Sequence, residues 1–194
     1  MSTLPTCSRR EALATAALGW LAWPAQDPKP KPTAALRCRT VVFVRHAEKD
    51  PDDKVDPELT ERGRARAEKL AAMFAAAGVT ATYATAYRRT RQTLAPLASK
   101  AGVEVADYDA RASVKFAAGL GAAAEPVTPQ TIVVAGHSNT LPQMVEALGG
   151  QLSGLTDKGW LGEDEYDRVV IVTLCGQPDE PLRAVATVDL RLVL

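Results

Sequence analysis

Between Thr40 and Lys49 the chain reads Thr-Val-Val-Phe-Val-Arg-His-Ala-Glu-Lys, an apolar, β-branched run that stops abruptly at an arginine, a histidine and a carboxylate. Val41 to Val44 carry no charge, which predicts a strand buried on both faces, as in a parallel sheet. In open α/β sheets ligands bind beyond the carboxyl ends of the strands, so Arg45 and His46 mark a candidate active edge. A second run, Gln130-Thr-Ile-Val-Val-Ala135, ends the same way in Gly136-His137-Ser138-Asn139-Thr140. The only two histidines of the chain therefore both follow buried-type strands.

The intervening segments alternate as an α/β chain should. Thr60 is an N-cap candidate for a helix whose apolar positions Ala67, Leu70, Ala71, Phe74 and Ala77 recur at three-to-four spacing, with Gly78 as its stop. Val79 to Tyr83 predicts a second strand. Arg88 to Thr93 then opens a helix that Gly102 ends, which puts those polar residues at a strand-to-helix turn on the His46 edge. Val103 to Tyr108 reads as a third strand and Ser113 to Ala124 as an Ala-rich helix. Pro142 suits the first turn of a helix closed by Gly149-Gly150. Tyr166 to Leu174 and Leu182 to Leu190 read as a hairpin around Gly176 to Asp179.

Lys+Arg and Asp+Glu both total 23, so net charge gives no reason to expect nucleic acid or a membrane surface as partner, and any attraction for anions must be local. The N-terminus is unlike the rest. Ser8-Arg9-Arg10-Glu11 precedes an apolar run, Ala12 to Trp23, too short to span a bilayer but laid out as an export signal, with paired arginines that suggest the twin-arginine route. Residues 1–25 are thus expected to direct export to the periplasm or beyond, leaving a mature form without a membrane segment; an amphipathic helix on a cytoplasmic protein is the alternative. Residues 26–36 alternate proline with charge and read as an extended linker, so the catalytic domain would occupy 37–194.

The residues at the strand ends suit phosphoryl chemistry. Planar guanidinium forks match phosphate oxygens better than ammonium groups do, which makes Arg45 and Arg89 apt ligands. A neutral imidazole can attack phosphorus in line and give a phosphohistidine that water then hydrolyses, with positive groups offsetting the oxyanion charge. His46 could attack while His137 hydrogen-bonds an oxygen. No organic cofactor or metal is expected; of a zinc deaminase pattern only His46-Ala47-Glu48 exists. Ser138 as a serine nucleophile would lack a later histidine. Gly119 to Ala124 fits a dinucleotide pattern but follows a helix rather than a strand.

Taken together, Val44-Arg45-His46-Ala47-Glu48, Arg89-Thr-Arg-Gln-Thr93 and Gly136-His137-Ser138-Asn139-Thr140 resemble the histidine phosphatase superfamily, the phosphoglycerate-mutase-like proteins, with Leu59 to Gly63 and Glu165-Tyr166-Asp167 in support. The resemblance implies an α/β three-layer sandwich, a mostly parallel sheet of about six strands between helices on both faces. It further implies His46 as the phosphorylated nucleophile and Arg45, Arg89 and His137 as the phosphate pocket. The acidic proton donor of many relatives, in a Leu-x-Glu setting, has no counterpart between Val103 and Phe116, which leaves Glu48 and Asp109 as possible general acids. A phosphoramidate or phosphoanhydride would relax that requirement.

The expected activity is hydrolysis of a phosphomonoester or phosphoramidate, on a phosphorylated small molecule or a phosphoprotein. Mutase-type transfer and non-catalytic phosphate binding are the alternatives. The short span from Arg89 to His137 leaves little room for a lid that would exclude water, which favours hydrolysis. The resemblance also implies that the strand Arg168 to Leu174 runs antiparallel beside Thr40 to Val44. Cys38 and Cys175 then lie at the edge opposite the active site, where an oxidising compartment would let a disulfide persist and the cytosol would leave two thiols.

Overall fold

The computed structural model describes residues 36–122, 130–177 and 180–194. The expected export signal and all of the linker but Leu36 lie outside the described residues. So do Ala123 and Ala124, the last two residues of the expected Ala-rich helix, and Pro178 and Asp179 of the expected hairpin turn.

Six strands form one sheet: β1 (Arg37–Arg45), β2 (Val79–Ala84), β3 (Val105–Asp107), β4 (Gln130–Gly136), β5 (Arg168–Gly176) and β6 (Arg183–Arg191), in the order β3-β2-β4-β1-β5-β6. β3, β2, β4 and β1 are parallel neighbours, whereas β5 runs antiparallel to β1 and to β6. Four helices accompany them among the described residues: α1 (Glu61–Phe74), α2 (Arg88–Ala101), α3 (Ser113–Leu120) and α4 (Thr140–Ala147).

The strand pleat explains the three layers. Successive side chains of β1 point to opposite faces, so Val41 and Phe43 pack with Ala117 and Leu120 of α3 and Leu141, Met144 and Val145 of α4. Val42 and Val44 pack on the other side with Leu70, Ala71 and Phe74 of α1 and Leu94 and Leu97 of α2. All four of these β1 side chains are buried. Truncating Phe43 to Ala should cost about 3–5 kcal/mol, because a close-packed interior cannot collapse into the void.

Local signals hold at most helix ends. Thr60 caps α1, its side chain accepting from the Gly63 N–H at 3.1 Å. Gly102 ends α2 in the left-handed region at φ 69°, where a side chain would be strained. Several boundaries differ from the sequence expectation: β3 starts at Val105 rather than Val103, α3 ends at Leu120, β5 spans Arg168–Gly176 and β6 spans Arg183–Arg191. α1 stops at Phe74, and Gly78, at φ 60°, turns the chain into β2 instead of capping the helix. β1 begins at Arg37 rather than Thr40. Arg37 and Arg39 stay in the strand because their guanidiniums find backbone partners: Arg37 donates to the carbonyls of Gln177 and Glu180, each at 2.9 Å, and Arg39 to the Leu120 carbonyl and the Gln130 side chain.

This early start brings Cys38 directly opposite Cys175 on β5. Their Cα atoms are 4.2 Å apart and the two form a disulfide.

Candidate active site

β1 and β4 are adjacent, parallel and in register, with Arg45 opposite Gly136. The two histidines therefore leave the sheet side by side. The His46 N–H donates to the Gly136 carbonyl at 3.0 Å, and the imidazole centroids of His46 and His137 lie 5.6 Å apart, edge to face. Gly136 is closely surrounded: a Cβ there would meet Met144 Cε at 3.0 Å and both Thr140 Oγ1 and the Tyr108 hydroxyl at 3.1 Å, so those side chains would have to shift by a few tenths of an ångström.

His46 is buried and its tautomer is set by the backbone. Nδ1 sits 2.8 Å from the Ala47 carbonyl, which can only accept, so Nδ1 carries the proton and Nε2 keeps its lone pair. Burial, against a smaller opposing effect of that bond and reinforced by Arg45, Arg89 and His137, pushes its pKa down to about 3. Burial, then Arg89 and Arg45, push His137 down to about 4. Both rings are neutral at pH 7, as a nucleophile and a hydrogen-bonding partner require.

The two arginines are fixed from opposite sides. Arg45 donates through Nη1 to the carbonyls of Gly162 and Glu163, each at 2.7 Å, and of Glu165 at 3.3 Å, while its guanidinium carbon lies 4.2 Å from the Tyr166 ring centre. That loop is itself tied down. The Glu165 carboxylate accepts from the Gly162 N–H at 2.9 Å and pairs with Arg191 at 2.8 Å. Arg89 enters from the first turn of α2. Its guanidinium stacks on Tyr87 at 4.2 Å and lies 3.9 Å from Asp56. The Nε atoms of Arg45 and Arg89 are both buried without a hydrogen-bond acceptor. Such orphan donors are costly to maintain, and an anion is what they lack.

Threonines brace the pocket. Thr93 accepts from the Ala47 N–H at 2.9 Å and donates to the Arg89 carbonyl at 2.7 Å, so one hydroxyl joins the segment after His46 to the turn carrying Arg89. Thr85 Oγ1 meets His137 Nε2 at 3.1 Å and Thr90 Oγ1 at 2.8 Å.

The strand ends open into a cleft of roughly 530 Å³ lined by Arg45, His46, Arg89 and His137 together with Lys49, Tyr87, Arg111 and Thr140, among others. Arg45, His46, Arg89 and His137 are thus brought together as expected. Neither expected general acid joins them. Glu48 points away into a bidentate pair with Arg66, at 2.9 and 2.6 Å, with Arg62 at 3.1 Å. Burial alone would raise its pKa, but the bonds from Arg66 outweigh this and hold it below the usual carboxylate value. Asp109 is exposed and caps the 3₁₀ turn Ala110–Ala112, its carboxylate accepting from the Arg111 N–H at 2.9 Å. Tyr87, Tyr166, Thr85 and Thr93 belong to the site without having been assigned a role in it; only the adjacency of Tyr87 and Thr93 to Arg89 hinted at theirs.

A strand-end histidine pair flanked by one buried and one half-buried guanidinium on a mostly parallel sheet makes this a histidine-phosphatase-like α/β chain. Residues 41–116 match the family model of the histidine phosphatase superfamily (branch 1), which bears out the resemblance in the motifs; His137 lies beyond the matched span and is placed by the geometry. No match was found among the curated proteins. Among solved structures, a mycobacterial hydrolase aligns with TM-score 0.55 at 20% identity over 76% of this chain and 88% of its own. A mycobacterial glucosyl-3-phosphoglycerate phosphatase aligns at 0.51 and 19% identity, over 76% and 96%. The protein histidine phosphatase SixA, solved with tungstate, aligns at 0.52 and 15%, over 76% and 95%. At these identities the structural likeness is one of fold. The family match supports a phosphate-hydrolysing enzyme.

Proposed function

We propose that this chain is a phosphatase that transfers a phosphoryl group from a phosphorylated small molecule or protein to His46 and then to water. The observation that carries the reading is the state of His46: a buried, neutral imidazole with Nδ1 held by the Ala47 carbonyl and Nε2 left as nucleophile beside two guanidiniums. Arg45 and Arg89 would hold the non-bridging oxygens and His137 would hydrogen-bond one of them, stabilising charge as the pentacoordinate geometry forms. In the second half-reaction water attacks the phosphorus and the N–P electron pair returns to Nε2.

Among the described residues no carboxylate lines the cleft, and Glu48 is neutralised by Arg66. This supports substrates whose leaving group needs little protonation, phosphoramidates or phosphoanhydrides, ahead of simple alkyl phosphates. Export, proposed from the N-terminal sequence, is supported by the Cys38–Cys175 disulfide, since such bonds persist in oxidising compartments.

The test is release of inorganic phosphate from a phosphoramidate and a phosphomonoester by the wild type and by His46→Ala. Turnover that the substitution abolishes is the expected result. Phosphate binding with no turnover would leave a binding protein, and exchange between phosphoglycerate isomers with little free phosphate would indicate a mutase.

A further inference from the structure

The charged residues around the active edge fall into two groups. Most are paired: Arg88 with Glu58, Arg91 with Asp107, Arg62 and Arg66 with Glu48, and Arg191 with Glu165 and Asp167. Lys49 and Arg111 are not. Both line the cleft, and among the described residues neither side chain has a carboxylate or carbonyl partner; the hydrogen bond of Arg111 is made by its backbone N–H. They come from different parts of the fold. Lys49 follows β1 in the segment bridged to Leu59, and Arg111 sits in the 3₁₀ turn after β3, with β2 and β4 between those strands in the sheet. The cleft is thus lined by four cationic side chains, Arg45, Lys49, Arg89 and Arg111, and by no described carboxylate, the Asp56 carboxylate lying 3.9 Å from Arg89 outside the lining. One phosphoryl group held by Arg45 and Arg89 leaves two of them without a partner.

Resting on the phosphatase reading above, we infer that the substrate is a phosphoanhydride, the terminal phosphoryl group of a diphosphate or longer chain, with Lys49 and Arg111 binding the phosphate that departs. Two independent features converge on this class. The extra cations call for a second anionic group next to the scissile phosphate, which neither an unsubstituted alkyl phosphate nor a simple phosphoramidate supplies. The cleft also lacks a described proton donor among carboxylates, and a departing phosphate monoester needs none, because its second ionisation lies at about 6 and it leaves as a stable dianion.

The reaction balances without a further reactant. The Nε2 lone pair of His46 attacks the terminal phosphorus, and an N–P bond forms. The bridging P–O bond breaks, and its electron pair stays on the oxygen of the departing group, which leaves between Lys49 and Arg111 as a phosphate monoester dianion or, from pyrophosphate, as hydrogen phosphate keeping the proton it already carried. Water then adds to phosphorus, the N–P electron pair returns to Nε2, and dihydrogen phosphate is released and gives up a proton to solvent.

The test compares kcat/KM for inorganic pyrophosphate, an alkyl phosphomonoester and phosphoramidate in the wild type, Lys49→Gln and Arg111→Gln. The wild type should prefer pyrophosphate by about tenfold or more, and each substitution should reduce that preference by about tenfold, the scale of one charge-assisted hydrogen bond. A wild type that turns over the alkyl phosphate or phosphoramidate as well as pyrophosphate overturns the inference and leaves the phosphatase reading intact. So does a preference that survives both substitutions, or variants that lose all three activities in equal proportion. No turnover of any of the three would overturn both.

Discussion

The imidazoles of His46 and His137 meet edge to face with their centres 5.6 Å apart, each leaving the carboxyl end of one of two adjacent parallel strands. Both are neutral in the fold, with pKa values pushed down to about 3 and about 4. Unfolded, each would titrate near 6.5, so between pH 6.5 and 4 the unfolded chain binds more protons than the native one. Stability from this source is complete above about pH 6.5 and is lost as pH falls toward 4. The denaturant midpoint should therefore drop between pH 7 and pH 5, and drop less in a His46→Gln, His137→Gln double variant. Equal pH slopes for the two proteins would refute the neutral pair.

Arg89 should matter far more than its neighbour. It stacks on Tyr87 and lines the cleft, whereas Arg88 is exposed and pairs with Glu58. Arg89→Ala should lower kcat/KM by on the order of 3 kcal/mol, comparable to losing one oxyanion donor, and Arg88→Ala by well under 1 kcal/mol. Because Arg89 is the largest charge effect depressing His137, its loss should also raise the His137 pKa, visible in an NMR titration. Equal, small effects of the two substitutions on turnover would show that the pocket is misassigned.

Glu165 positions Arg45 without touching the cleft. Its carboxylate holds the Gly162 N–H, and the carbonyls of Gly162, Glu163 and Glu165 hold the guanidinium. Glu165→Ala should lower kcat about tenfold with a smaller change in KM, and Glu165→Gln, which can still accept from Gly162, should recover part of the loss. Loss of stability with kcat untouched would make the residue structural only.

How much of this was legible in the sequence follows from the range of each interaction. Val41 to Val44 and Ile132 to Ala135 disclosed their strands because burial on both faces leaves a continuous apolar run, and the polar residues just past each run had to emerge at one edge. Thr60 and Gly102 disclosed helix ends because capping acts over three or four residues. The start of β1 was hidden: Arg37 and Arg39 look like a surface, and their partners at Gln177, Glu180 and Leu120 lie far along the chain. Glu48 looked available as an acid because nothing local shows that Arg66 will close on it. The same holds for Tyr166 under Arg45, more than a hundred residues away.

The Cys38–Cys175 disulfide closes a sequence separation of 137 residues, for which the loop-closure relation gives a stabilisation of about 5 kcal/mol. Cys38 is eight residues before His46, about 26 Å along an extended strand. Reduction should lower Tm substantially while leaving the turnover of the still-folded enzyme within about twofold of the oxidised form, since the bond lies at the opposite end of β1. Full alkylation of both cysteines in oxidised protein would contradict the pairing.

His46 is proposed to carry the phosphoryl group between substrate and water. Rapid acid-free quenching during turnover, followed by peptide mass spectrometry, reads this directly. An acid-labile, alkali-stable phosphate should appear on the peptide containing His46, be absent in His46→Ala and accumulate when His137 is replaced by Gln. Steady phosphate release with no phosphoenzyme, and a His46→Ala variant that retains comparable turnover, would contradict it.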